Sequence, residues 1–154
     1  SRYCGTKIDY MFPYWDKYQL TVHKTNLEKG QFRTEIIADP QYPNGHLLAV
    51  LLGHTPIAPD GYRLSLPTEI ALIKELHLSP EENKRIPIID EVGQIAVYAD
   101  QAYLYDTLKN GSVIDENGGY YDTYDDKNEK PIMVIPTADM IGLLEDTQRY
   151  LFNQ

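Results

Sequence analysis

The chain has 154 residues, 42% hydrophobic and 24% charged, a globular composition that argues against disorder along its whole length. That length fits one domain spanning 1–154, large enough to bury a core without staples, and the single cysteine, Cys4, excludes an internal disulfide and suits a reducing compartment. Fourteen Lys and Arg against 23 Asp and Glu give a net charge of −9, which disfavours direct binding to duplex nucleic acid or to an anionic membrane, since both rely on basic side chains.

Taken in chain order, the opening stretch is aromatic-rich, broken by Pro13, and reads as extended. From Tyr18 to His23, Leu20 and Val22 alternate with polar residues and predict a strand. The segment Asn26 to Gly30 should reverse the chain into a partner strand, Phe32 to Ala38. After a turn-rich segment ending in Asn44–Gly45, the apolar run His46 to Leu52 has strand length and predicts a central buried strand. Gly53 to Arg63, with two prolines and two glycines, predicts a long loop.

Thr68 as N-cap, with Ile70, Ile73 and Leu76 on one face, predicts a helix over Glu69 to His77. Ser79-Pro80-Glu81-Glu82 resembles a second helix start, good for a turn or two. Ile86 to Asp90 and Gln94 to Tyr98 predict a hairpin, followed by a helix capped by Asp100 and closed by Gly111. Ser112 to Glu116 and Gly119 to Tyr124 flank Asn117–Gly118, a strong hairpin signal. A strand, Ile132 to Ile135, then leads into a last helix starting at Pro136-Thr137, with Met140, Ile141, Leu144 and Leu151 on one face. The result is an α+β fold, a mainly antiparallel sheet built from hairpins with about three helices packed on it.

Three junctions look alike: LSLPTEIALI, IAVYADQAYL and MVIPTADMI, each an apolar strand, a cap residue and a helix. The last two align at an offset of 37 residues, with Val97 on Val134 and Asp100 on Thr137. A capped strand-to-helix turn generates this pattern without any duplication.

The acidic excess is local. Residues 1–77 hold eight basic and eight acidic side chains, and residues 78–154 hold six and fifteen. Its densest part is Asp115 to Glu129, six acids and one Lys, interleaved with Tyr120, Tyr121 and Tyr124. Tyrosine, at 13 copies against three Phe and one Trp, is the compositional oddity, with a second cluster of Tyr3, Tyr10, Tyr14 and Tyr18 around Trp15. Tyr supplies large, rigid, amphipathic contact area at interfaces.

Signatures of chemistry are missing. His23, His46, His54 and His77 form no ligand spacing, Asp115 to Glu129 fails the Ca²⁺-loop pattern, and neither a nucleophile elbow nor a phosphate loop occurs. A looser carboxylate set for a hard cation would be Asp122, Asp125, Asp126 and Glu129. No cofactor or metal is expected. The leading expectation is a small acidic, cytoplasmic binding module and candidate inhibitor acting on a basic, nucleic-acid-binding protein partner. Its contact residues would be Asp115, Glu116, Tyr120, Tyr121, Asp122, Tyr124, Asp125 and Asp126. The alternatives are a small enzyme or ligand-binding domain with His54, Asp60 and Arg63 of the 53–63 loop, and an assembly subunit burying tyrosine-rich faces between copies.

Overall fold

A computed structural model describes residues 12–42, 44–56, 58, 63–106, 112–114, 120–122 and 130–153, with side chains for all but 112–114 and 120–122. The class is α+β. Helix α1 (Pro13–Lys17) leads into strands β1 (Leu20–Asn26) and β2 (Phe32–Ala38). Helices α2 (Gly45–Gly53) and α3 (Leu66–Leu78) follow. Next come β3 (Ile86–Ile89), β4 (Gly93–Val97), β5 (Gln101–Asp106), β6 (Ser112–Ile114), β7 (Tyr120–Asp122) and β8 (Met133–Pro136). Helix α4 (Thr137–Phe152) comes last.

All described strand pairs are antiparallel. The largest sheet has the order β3-β4-β5-β8, and β1-β2 and β6-β7 are separate two-stranded pairs. Strand β4 is buried along its whole length, as an inner strand should be, whereas edge strand β3 alternates buried Ile86 and Ile88 with exposed Pro87 and Ile89. Helix α3 packs along α4, and α2 lies against β2, β4 and α4. Leu48, Leu51 and Leu52 of α2 share one core with Ile73, Ile88, Ile95, Leu104, Leu143 and Leu144.

Two predicted elements exchange strand for helix or helix for strand. The run His46 to Leu52 is not a strand; it lies within helix α2. A short, wholly apolar run has no decisive period, and Leu and Ala favour helix. Burial of Gly45, Leu48, Ala49 and Leu52 follows the helical i, i+3, i+4, i+7 spacing. Asn44 takes the left-handed conformation expected of this turn, at φ 62°. Gly45 opens the helix, because a Cβ there would come within 2.7 Å of the Tyr42 ring.

The helix predicted from Asp100 is instead strand β5 over Gln101–Asp106, placed by β4 on one side and β8 on the other, and its predicted close at Gly111 lies outside the described residues. Asp is as good in a tight turn as at an N-cap, and here Tyr98 N–H donates to Gln101 O at 2.9 Å to close the turn between β4 and β5. The 37-residue alignment therefore matches a strand-turn-strand to a strand-helix. Of the three similar junctions only MVIPTADMI joins strand to helix; the first enters α3 from a loop residue, Ser65, whose Oγ accepts from Thr68 N–H at 3.4 Å. The predicted start at Ser79 is a turn, with Asn83 at φ 63° and Lys84 N–H donating to Glu81 O at 3.3 Å.

The opening segment, expected to be extended, contains helix α1, held from far along the chain. Phe12 provides no side-chain cap; the cap comes instead from Asp146 of α4, whose Oδ2 accepts from Tyr14 N–H at 2.8 Å and Trp15 N–H at 3.1 Å. Asp146 also pairs with Arg149. Burial pushes its carboxyl above the usual range, against the pull of the two N–H donors and Arg149. Trp15 is fully buried and its Nε1 donates to Thr147 Oγ1 at 3.2 Å. The Tyr14 ring packs so closely over Gly142 that no Cβ would fit there.

Two turns earlier on α4, Asp139 accepts from the Tyr18 hydroxyl at 2.6 Å and pairs with Lys17 at 2.7 Å. Burial alone would raise the Asp139 carboxyl, but these donors outweigh it and hold it below its usual value of 3.8. Ionised Asp139 therefore stabilises the fold above that value, and the contribution is lost as pH falls through the lower, folded-state value. Asp139→Asn should accordingly lower the urea midpoint at pH 7, with the gap to wild type closing on acidification below the carboxylate range. A gap that widens in acid would contradict this linkage.

Candidate functional site

The eight residues of the predicted acidic contact surface fall on the least described part of the chain. Asp115, Glu116, Tyr124, Asp125 and Asp126 lie outside the described residues, as does Glu129 of the looser carboxylate set. Tyr120, Tyr121 and Asp122 form strand β7, paired with Ile114, Val113 and Ser112 of β6. The antiparallel pairing of the two predicted strands is thus described over these residues, and the Asn117–Gly118 turn lies outside them.

Of the loop trio, His54 and Arg63 are held by different partners. Asp60 lies outside the described residues. The Arg63 side chain is 7% exposed and turned inward. Its Nε and Nη2 each donate to a carboxylate oxygen of Glu69 at 3.1 Å, and its Nη1 donates to Leu51 O at 2.7 Å. The guanidinium thereby ties the end of α2 to the first turn of α3, where Glu69 is fully buried. Burial raises the Glu69 carboxyl, and Arg63 works against that rise. His54, the C-cap of α2, is separate and 59% exposed; its Nδ1 meets Asp90 Oδ2 at 2.8 Å. This contact orients the imidazole and joins α2 to the turn between β3 and β4, where Asp90 also accepts from Val92 N–H at 3.3 Å.

The cavity that sequence reasoning missed lies at one end of the large sheet. An open cleft of about 620 Å³ is lined by the turn Pro80–Lys84, by Tyr98, Asp100, Gln101 and Tyr103 of the β4–β5 corner, and by Pro136. The Tyr98 and Tyr103 rings stand at 85° to one another with centroids 5.6 Å apart. The Tyr103 hydroxyl donates to Gln101 Oε1 at 3.0 Å. Lys84 faces Glu81 at 3.7 Å, and Glu81, Glu82 and Asp100 are exposed.

The corner carrying this cleft is held at three consecutive carbonyls. Tyr98 O accepts from the Thr137 hydroxyl at 2.7 Å, and Asp100 O accepts from Thr137 N–H at 2.8 Å. Between them, Ala99 O lies 2.8 Å from His77 Nδ1, which must carry the proton because a carbonyl only accepts. Helices α3 and α4 thus fix a turn that has no helix of its own. The sequence signal lay in Tyr98-Ala99-Asp100-Gln101, whose turn character is masked by the equal fitness of Asp for an N-cap.

Among the described residues, no group of three or more His, Cys, Asp or Glu side chains converges to hold a metal ion, and no helix is long and apolar enough to cross a membrane. Comparisons with protein-family models, curated proteins and solved structures return no match.

Proposed function

We propose that this chain is a small acidic, cytoplasmic binding module that acts by protein–protein contact on a basic partner, in the manner of an inhibitor. The observation that carries the reading is the cleft, which combines two tyrosine rings and Asp100 on a rigidly held corner with Glu81 and Glu82 on the facing turn. The acidic stretch Asp115 to Glu129 adds six carboxylates within fifteen residues. Such surfaces steer cationic partners and set specificity through complementary charge. The oriented His54–Asp90 pair is the observation that favours the rival, a small enzyme using the 53–63 loop.

A test uses the full chain with a twelve-residue Lys/Arg peptide as probe and a Glu peptide of equal length as control. The cationic peptide should bind, and its affinity should fall at least about tenfold from low to high salt as screening shortens the reach of surface charge. Neutralising Asp122, Asp125 and Asp126 together to Asn should weaken binding with the circular dichroism spectrum unchanged. Absence of binding, or binding indifferent to salt, would overturn the reading.

A further inference from the structure

We infer that the cleft between the Pro80–Lys84 turn and the β4–β5 corner receives a lysine or arginine side chain of the partner, an inference that rests on the basic-partner reading above. The volume of about 620 Å³ falls within the range of ligand pockets, and the lining is mixed rather than merely acidic. Two tyrosine rings set at 85° give a cation an aromatic face to lie against, and the bond from Tyr103 to Gln101 restrains one of those rings in advance. Three carboxylates, Glu81, Glu82 and Asp100, against one ammonium, Lys84, give the lining a formal charge of −2. An anionic ligand would meet repulsion there, and an apolar one would have to desolvate the carboxylates.

Both walls are built to hold their shape. Asn83 adopts the left-handed conformation that Asn tolerates better than most residues, closing the turn that presents Glu81 and Glu82. The opposite wall has three successive carbonyls, at residues 98, 99 and 100, engaged by Thr137 and His77. A turn restrained so fully loses little freedom when a ligand docks, so contacts made there are not offset by ordering.

The experiment is a backbone amide NMR titration of the full chain with hexa-arginine, repeated with hexaglutamate. Hexa-arginine should shift the amides of residues 81–84 and 98–103, and the exposed isosteric variant E82Q/D100N should bind it at least about tenfold more weakly, through lost charge complementarity. If hexa-arginine binds but leaves these amides unmoved, and E82Q/D100N binds as wild type does, the cleft assignment falls while the basic-partner reading stands. If hexa-arginine binds nowhere, both fall. Equal shifts with hexaglutamate would overturn the choice of a cation.

Discussion

Replacing Arg63 with Met should destabilise the fold by about 3–5 kcal/mol, the usual cost of leaving one member of a buried ion pair without its partner. Glu69 is fully buried and takes two of the guanidinium's hydrogen bonds, and the third goes to Leu51 O. The variant must either bury a bare carboxylate or protonate it, and Leu51 O loses the shorter of its two side-chain donors, keeping the Thr55 hydroxyl at 3.3 Å. Arg63→Lys should recover only part of the loss, because an ammonium cannot reproduce the planar two-point contact. The double variant Arg63→Met, Glu69→Leu should be more stable than Arg63→Met alone, since it removes the stranded charge along with its partner. Urea denaturation of the four proteins checks the whole set. A double variant no better than the single one would show that the pair's partners, rather than the charge, account for the loss.

The second large effect is expected at Asp146. Asp146→Ala strips the cap from α1, leaving the Tyr14 and Trp15 N–H groups without their acceptor, and should cost about 2–4 kcal/mol, given what charged hydrogen bonds and buried unpaired donors are worth. Asp146→Asn should fall between, as its carbonyl can still accept while its amide opposes Arg149. Trp15 is the sole tryptophan and is fully buried, so its emission reports α1 directly. Asp146→Ala should shift that emission to longer wavelength before any global unfolding. Unchanged emission and an unchanged urea midpoint would refute the capping role.

The elements whose patterns are local were readable without coordinates. Strand β2 spans the predicted residues, the β3–β4 hairpin turns where Glu91 to Gly93 indicated, and α4 starts at Thr137. The class, α+β, followed from those hairpins. The failures have a common physics. In α2 every residue of the central run is apolar, so the period that separates helix from strand carries no contrast; only the neighbours β2, β4 and α4 decide. In β5 the cap chemistry of Asp100 agreed with a helix, and pairing on both flanks overrode it.

The candidate site was the least legible part because its components are separated in sequence and polar in character. Nothing in Pro80–Lys84 announces that it faces Tyr98 and Tyr103, and nothing in Thr137 or His77 announces that they hold the turn between those tyrosines. The charge reading is also refined. Asp139 and Asp146, counted in the acidic second half, are buried structural groups, and Asp139 is matched by Lys17 from the neutral half. The surface excess is therefore carried by other acids, among them the three that line the cleft.

The docking of α1 onto α4 bears on how the chain matures. Trp15 and its acceptor Thr147 are separated by 132 positions, and Tyr14 and Asp146 by the same number. At the ordinary pace of translation, a ribosome needs roughly 7–26 s to cover that distance. Throughout that interval Tyr14, Trp15 and Tyr18 lack the acceptors that α4 supplies. The α1 segment is therefore completed only when α4 has been made.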